Sequence, residues 1–396
     1  MKPFIYMALG ASLVGCVDNR DAITGTQSLQ IELVSPASGG DINARLPDTQ
    51  RAITVSLTAL DADGELDTSF DQVVRVYAQF LGTLTPQLSD MPLASIQMTG
   101  GVASNATITL PDSVLGQTTL WFDNGTGVGP GYKHGAVGGV SPTLWYRDPF
   151  ISDIQTPRDE TAVDALAVTP LTDKQVTVAA SRYGANGKLV VTSVVAQGYT
   201  VSDMNCPGGN PPCTTEPYNH AFVFTFSAPR DQTGETIEIG DIIERFNGGV
   251  SEFNGLTEIG FPRSFVGEPK VNNRALLPTP VVMETAWFGP LSNPAGRINF
   301  ERNEAGPIEI RNAKVCPTDD DYTTYKQWKI DPAGMMGTCG NNVINLITQG
   351  TDFTTDPTTL EGRILPSVVG ILRPVNIGSF NVWIVYPRGS SDIRLQ

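Results

Sequence analysis

An all-β fold is predicted by three features of the sequence. From residue 24 onward, short apolar runs are broken by turn signals at the roughly 8–12-residue spacing of sandwiches and barrels. The runs are rich in β-branched and aromatic residues, which suit a pleated, half-buried surface. Gly 40 and Pro 29 together make about 17% of the chain against a usual roughly 12%, so turns are numerous. The 396 residues are enough for two or three domains, each with its own core. A hydrophobic content of 40% excludes a globally disordered chain.

At the amino terminus, Met1 and Lys2 precede an apolar stretch over residues 3–14 and then Gly15-Cys16. This is the layout of a secretory signal, and its hydrophobic region is too short to span a bilayer. Leu13-Val14-Gly15-Cys16 resembles the bacterial lipobox, in which small residues admit a peptidase to the bond before a cysteine. The resemblance implies that residues 1–15 are a signal peptide and that Cys16 becomes the acylated first residue of a lipoprotein, carrying palmitate-type chains. Residues 16–27 are then a tether. Three acyl chains exceed the two-signal requirement for stable anchoring. Val17 stands where an Asp would retain the protein at the inner membrane, which implies an outer-membrane address, periplasmic or surface-exposed. An ordinary signal peptide with a chance cysteine is the alternative.

Residues 28–34, 52–60, 73–80, 106–110 and 118–122 each read as strands. Between the second and third lies DADGELDTSF, residues 61–70, which resembles a loop of bacterial immunoglobulin-like domains and implies an immunoglobulin-like β-sandwich over residues 28–150. Asp61, Asp63, Glu65 and Asp67 alternate there and offer hard oxygen ligands for calcium. An EF-hand is excluded, because its Gly and Glu positions hold Leu66 and Gln72. A plain turn with Asp63-Gly64 at its apex is the preferred reading. No other cofactor is implied.

Residues 151–172 mix acids and prolines and read as a linker. Strands return at 176–181, 188–199, 221–226 and 236–246, with Asn186-Gly187 offering a hairpin turn. IGDIIERFNGGVSEFNGLTEI, residues 239–259, resembles the central strands of oligonucleotide/oligosaccharide-binding-fold modules of secreted bacterial nucleases and lipoproteins. In that likeness Gly240-Asp241, Gly248-Gly249 and Phe253-Asn254-Gly255 are turn and bend positions. Residues 360–374 and 380–387 resemble the last two strands of such a module, and residues 319–347 would carry its helix. The resemblance implies one small barrel with disulfide-braced insertions over residues 173–396. No internal repeat is visible.

Four cysteines remain after Cys16, an even number in a chain routed out of the reducing cytosol, so disulfides are expected. Of three possible pairings, Cys206–Cys213 and Cys316–Cys339 close the shortest loops and are preferred. A zinc site is the rival, although the spacing fits no short knuckle.

The formal charge of −15 is opposite to the basic footprint of phosphate-binding proteins. Residues 16–167 carry 7 basic and 18 acidic side chains, and residues 168–396 carry 18 and 23. Nucleic acid is therefore disfavoured as a partner. His134 and His220 are the only histidines, each read as a turn or surface residue. No nucleophile elbow, zincin motif or phosphate loop is present. Phe246 and Trp383 fall within strand patterns and are expected in the core, whereas Trp287 and Trp328 lie in irregular stretches and are candidates for stacking on a sugar or protein.

The expectation is a membrane-anchored envelope lipoprotein acting as a non-catalytic binding module for a protein or polysaccharide partner. A structural subunit of an envelope complex or surface filament, and a hydrolase using paired carboxylates or a nuclease-accessory protein, are the alternatives. The oligomeric state stays open.

Overall fold

A computed structural model describes residues 24–80, 92–125, 135–157, 160, 169–288, 294–332, 339–340, 342–377 and 380–395. Cys16, residues 1–15 and His134 lie outside them. The chain is all-β, and strands carry each of its cores.

The first domain is a sandwich of β1 (Ser28–Ser35), β2 (Ala52–Leu60), β3 (Val73–Phe80), β4 (Ala94–Gln97), β5 (Val102–Thr109), β6 (Gln117–Asp123), β7 (Gly138–Val140) and β8 (Leu144–Trp145). One sheet runs β1-β2-β5, the other β4-β3-β6-β7 with β8 beside β6. Strand β2 explains the packing. Ile53, Val55, Leu57 and Ala59 alternate inward and are fully buried, while the residues between them face out, as the two-residue period of a strand requires.

The stretch expected as a linker begins with α1 (Ile151–Gln155), and Ile151 and Ile154 are buried in the core of the next domain. That domain contains β9 (Gln175–Val178), β10 (Gly187–Val195), β11 (Gly198–Asn205), β12 (His220–Phe224), β13 (Ile242–Phe253) and β14 (Leu256–Val266). The order is β10-β11-β12-β14-β13, and β13 closes back on β10 through Leu189 opposite Ile243. Only β12 and β14 are parallel within this ring. The barrel is therefore closed, which removes free sheet edges from the ring. The span 188–199, expected as one strand, is two strands joined at Ala196-Gln197.

The single barrel expected over residues 173–396 is two barrels. The second contains β15 (Val281–Val282), α2 (Pro294–Arg302), β16 (Pro307–Val315), α3 (Asp320–Tyr325), β17 (Gln327–Asp331), β18 (Ile344–Ile347), β19 (Ile364–Ile377), β20 (Phe380–Tyr386) and β21 (Ile393–Arg394). Its order, β16-β17-β18-β20-β19 closing on β16, repeats the first barrel strand for strand, again with the third and fifth strands parallel. A structural repeat is thus present that the sequence pattern did not disclose. Cys206–Cys213 ties the turn between β11 and β12, and Cys316–Cys339 ties the end of β16 to the segment after β17.

The second barrel packs on the outward face of the first. Strand β11 is buried on both faces from Gly198 to Met204. His220 of β12 lies against Gly306, and Arg373 of β19 stacks over the Phe222 ring at 3.7 Å. A Cβ at Gly306 would stand 2.4 Å from His220 Cδ2, so only glycine lets the two barrels approach this closely. We expect Gly306→Ala to lower stability by ~1–3 kcal/mol, the usual cost of overpacking, read as a lower thermal midpoint. Adding His220→Ala should recover part of that loss, and an unchanged midpoint in Gly306→Ala would contradict the close packing.

Candidate functional site

Outward-facing positions of β12 are His220, Phe222 and Phe224, because Ala221 and Val223 fill the barrel. The second barrel covers His220 and Phe222, which are 1% and 3% exposed. Beyond Phe222 the cover ends, and a row of rings emerges. Phe224 meets Phe226 at 4.2 Å between centroids, and Phe226 meets Phe261 at 4.8 Å. Phe226, Phe253 and Phe261 are 53%, 60% and 82% exposed.

The neighbouring strands leave room for these rings. In register with Phe224 are Gly198 on β11 and Gly260 on β14, and Gly260 in turn faces Gly249 on β13. The floor is open at Gly260, while at Gly249 the Gln175 side chain lies 2.9 Å from where a Cβ would stand. A Cβ on Gly198 would lie 2.8 Å from the Phe222 ring. The result is a trough of ≈ 530 Å³, walled by Phe224, Phe226, Phe253 and Phe261 and edged by Asp173 and Glu258. That volume lies within the range of small-molecule and oligomer sites.

Two of the rings are held by strained backbone. Phe226 has φ 59° and Phe261 has φ 52°, left-handed values that are uncommon for bulky residues. At Phe261 the strand alternation breaks, because the β13–β14 ladder slips between Asn247 and Gly249, and the ring turns outward. Strain of this kind costs about 1–3 kcal/mol per residue. Leaving a Phe side chain in water forgoes much of the ~1.5–3 kcal/mol its burial would supply. Both costs fall on the same residues, so stability alone does not account for the arrangement.

Beneath the trough, at the contact between barrels, lies a group of buried acids. Glu252 accepts hydrogen bonds from Thr257 Oγ1 at 2.9 Å and the Thr169 amide at 3.3 Å, and Glu304 accepts from the Thr257 amide at 3.0 Å. Glu301 and Glu304, from the end of α2 and just beyond it, are 7% and 3% exposed. Burial and the proximity of like charges push both well above the ordinary carboxylate range. Burial pushes Glu258 up to about 7 against the opposing charge of Arg373, and it raises Glu252 as well. His220, with its Nδ1 2.6 Å from Ser202 Oγ, is pushed down to about 4 by burial and stays neutral.

The remaining expected site residues are dispersed. Asp61 caps its own turn, accepting from the amides of Asp63 and Glu65 at 2.9 and 3.0 Å. Asp67 instead accepts from Ser69 and Thr26. Among the described residues, no three His, Cys, Asp or Glu side chains gather as a metal would require. Trp287 and Trp328, expected as exposed platforms, are 5% and 1% exposed. Trp287 packs edge-on to Phe300, and Trp328 stacks parallel to Phe353 and donates to Thr348 Oγ1 at 3.3 Å. Trp328 lies within β17, a strand that the irregular flanking sequence concealed. Phe246 and Trp383 are in the barrel cores. His220, read as a surface residue, is buried between the barrels. Phe226 and Phe261 were not singled out by the sequence, although Pro262 directly after Phe261 interrupts a strand pattern and marks an irregularity there.

No family model matches this chain, and no significant match was found among curated proteins or solved structures.

The buried groups set a pH dependence. A carboxyl whose folded pKa is raised stabilises fully below its unfolded value near 4.5, and that contribution is lost as pH rises through the folded value. His220, lowered from 6.5, contributes above pH 6.5 and loses that contribution as pH falls toward 4. The two effects oppose each other below pH 6.5, and only the acids act above it. The thermal midpoint should therefore fall as pH rises from 6.5 through 7, and Glu301→Gln with Glu304→Gln should flatten that slope. A midpoint that rises over this interval would contradict the assignment.

Proposed function

We propose that this chain is a lipid-anchored protein of the bacterial cell envelope that works as a non-catalytic binding module for a polysaccharide or protein partner. Acyl chains on Cys16 hold it in the outer membrane, the immunoglobulin-like sandwich spaces the barrels from the bilayer, and the first barrel offers its phenylalanine trough. The LVGC segment supports the anchor, and the two disulfides fit an oxidising compartment outside the cytosol. The strand order of both barrels supports the likeness to oligonucleotide/oligosaccharide-binding modules drawn from residues 239–259.

One observation carries the binding role: strained, exposed Phe226 and Phe261 stand over a glycine floor at the only part of the β12 outer face that the second barrel leaves uncovered among the described residues. The buried acids suit an enzyme poorly, since Glu301 and Glu304 are sealed between the barrels, away from any substrate in the trough. The test has two readouts. Cys16→Ser should abolish palmitate incorporation and move the protein from the membrane to the soluble fraction. Phe226→Ala with Phe261→Ala should leave fractionation unchanged and weaken retention on isolated, delipidated envelopes at least tenfold, since covering an exposed Phe side chain contributes about 1.5–3 kcal/mol. Membrane association unaffected by Cys16→Ser, or retention unaffected by the ring deletions, would contradict the respective half.

A further inference from the structure

We infer that the trough of the first barrel binds a neutral polysaccharide strand, with sugar rings stacked on Phe226 and Phe261 and sugar hydroxyls donating to Asp173 and Glu258. The inference rests on the binding-module reading above and names the ligand class of that site.

The side chains around the trough select by charge. Asp173 and Glu258 are its ionisable groups, and neither lysine nor arginine lines it. A nucleic acid or an acidic glycan needs cations for its phosphates, carboxylates or sulfates, and here it would meet carboxyls on a chain of net charge −15. A polycation would be drawn to carboxylates, but the charge at the floor is compensated. Arg373 sits behind Glu258 across the barrel contact and opposes its charge. The exposed Asp173 is left as the one lasting charge.

The backbone selects against a peptide. Extended peptides gain their affinity by pairing with a free strand edge. Strands β12, β14 and β13 pair with one another across the floor, and the outer strand beside them, β9, offers an edge of only four residues. What it does offer is open main chain at Gly260, with the Gln175 side chain lying over Gly249, beside rings whose faces turn by 57° and then 41° along the row. A sugar chain matches this surface. Its rings present apolar C–H faces to aromatic carbon and O–H donors at their rims, where the trough supplies oxygen acceptors from Asp173, Ser251 and Glu258. Barrels of this kind often use the face of the second and third strands for ligands. Here that face is covered by the second barrel, and the proposed site is displaced to the third, fifth and fourth strands.

The test uses the full chain in detergent, immobilised and exposed to a neutral β-glucan, a neutral α-glucan, a galactomannan, alginate, chitosan oligomers and single-stranded DNA. At least one neutral glycan is expected to bind. Phe226→Ala and Phe261→Ala, both at exposed positions, should each weaken that binding at least tenfold with an unchanged thermal midpoint. Gly260→Leu, which fills the floor, should abolish it. If only alginate, chitosan or DNA binds, and does so through the phenylalanines, the neutral-glycan assignment is overturned while the binding reading stands. If no probe binds, or binding ignores all three substitutions, the glycan assignment is overturned, and the binding reading is overturned as well if retention on envelopes is also unaffected by the ring deletions.

Discussion

Closure of the first barrel leaves one outward surface, across β11, β12 and β14, on which Phe222, Phe224 and Leu256 stand among Thr200, Ser202, His220 and Glu258, and the rest of the molecule is arranged around covering it. The second barrel covers most of it. Arg373 lies over Phe222, Gly306 admits His220, and Ala305 packs with Phe222 and Leu256. The remainder is the phenylalanine row. The same strand thus supplies the junction between barrels at one end and the open trough at the other, and Glu258 reaches both.

The junction is an unusual place for acids. Glu252, Glu301 and Glu304 approach one another where water is excluded, with Glu258 at the edge of the junction beside Arg373, and burial costs an ionised carboxylate several kcal/mol unless it is paired. Protonation is the inexpensive solution, and it couples barrel docking to pH. Burial pulls the Arg373 guanidinium below its usual range against the opposing pull of Glu258 and Glu304; it lies over the rings of Phe222 and Tyr386, and its Nε and Nη2 find no hydrogen-bond partner among the described residues. Because Glu258 also edges the trough, the state of the junction and the polarity of the trough floor are linked.

Much of the fold was legible where one face of a strand meets a core and the other meets water. In β2, AITVSLTAL alternates strictly, and the structure buries Ile53, Val55, Leu57 and Ala59. Phe253-Asn254-Gly255 was readable as a turn, because Asn254 and Gly255 accept positive φ. Legibility failed where tertiary contact buries both faces. Strand β11 carries Thr200 and Ser202 on an outer face that reads as solvent-exposed, but these hydroxyls pair with Thr192 and His220 beneath the second barrel. The second barrel merges with the first in the sequence because the alternation of its opening strand, PIEIRNAKV, breaks at Arg311-Asn312, so residues 360–387 read as the end of a single barrel. The trough depends on a register slip and two positive φ values, and neither produces a periodic signal.

Solvent access to the rings tests the central claim most directly. Hydroxyl-radical footprinting of the full chain should show Phe226 and Phe261 oxidised readily in the free protein and protected when envelope polysaccharide is added, with Phe222 unreactive in both states. Rings already protected in the free protein, or equally reactive with and without polysaccharide, would contradict the account.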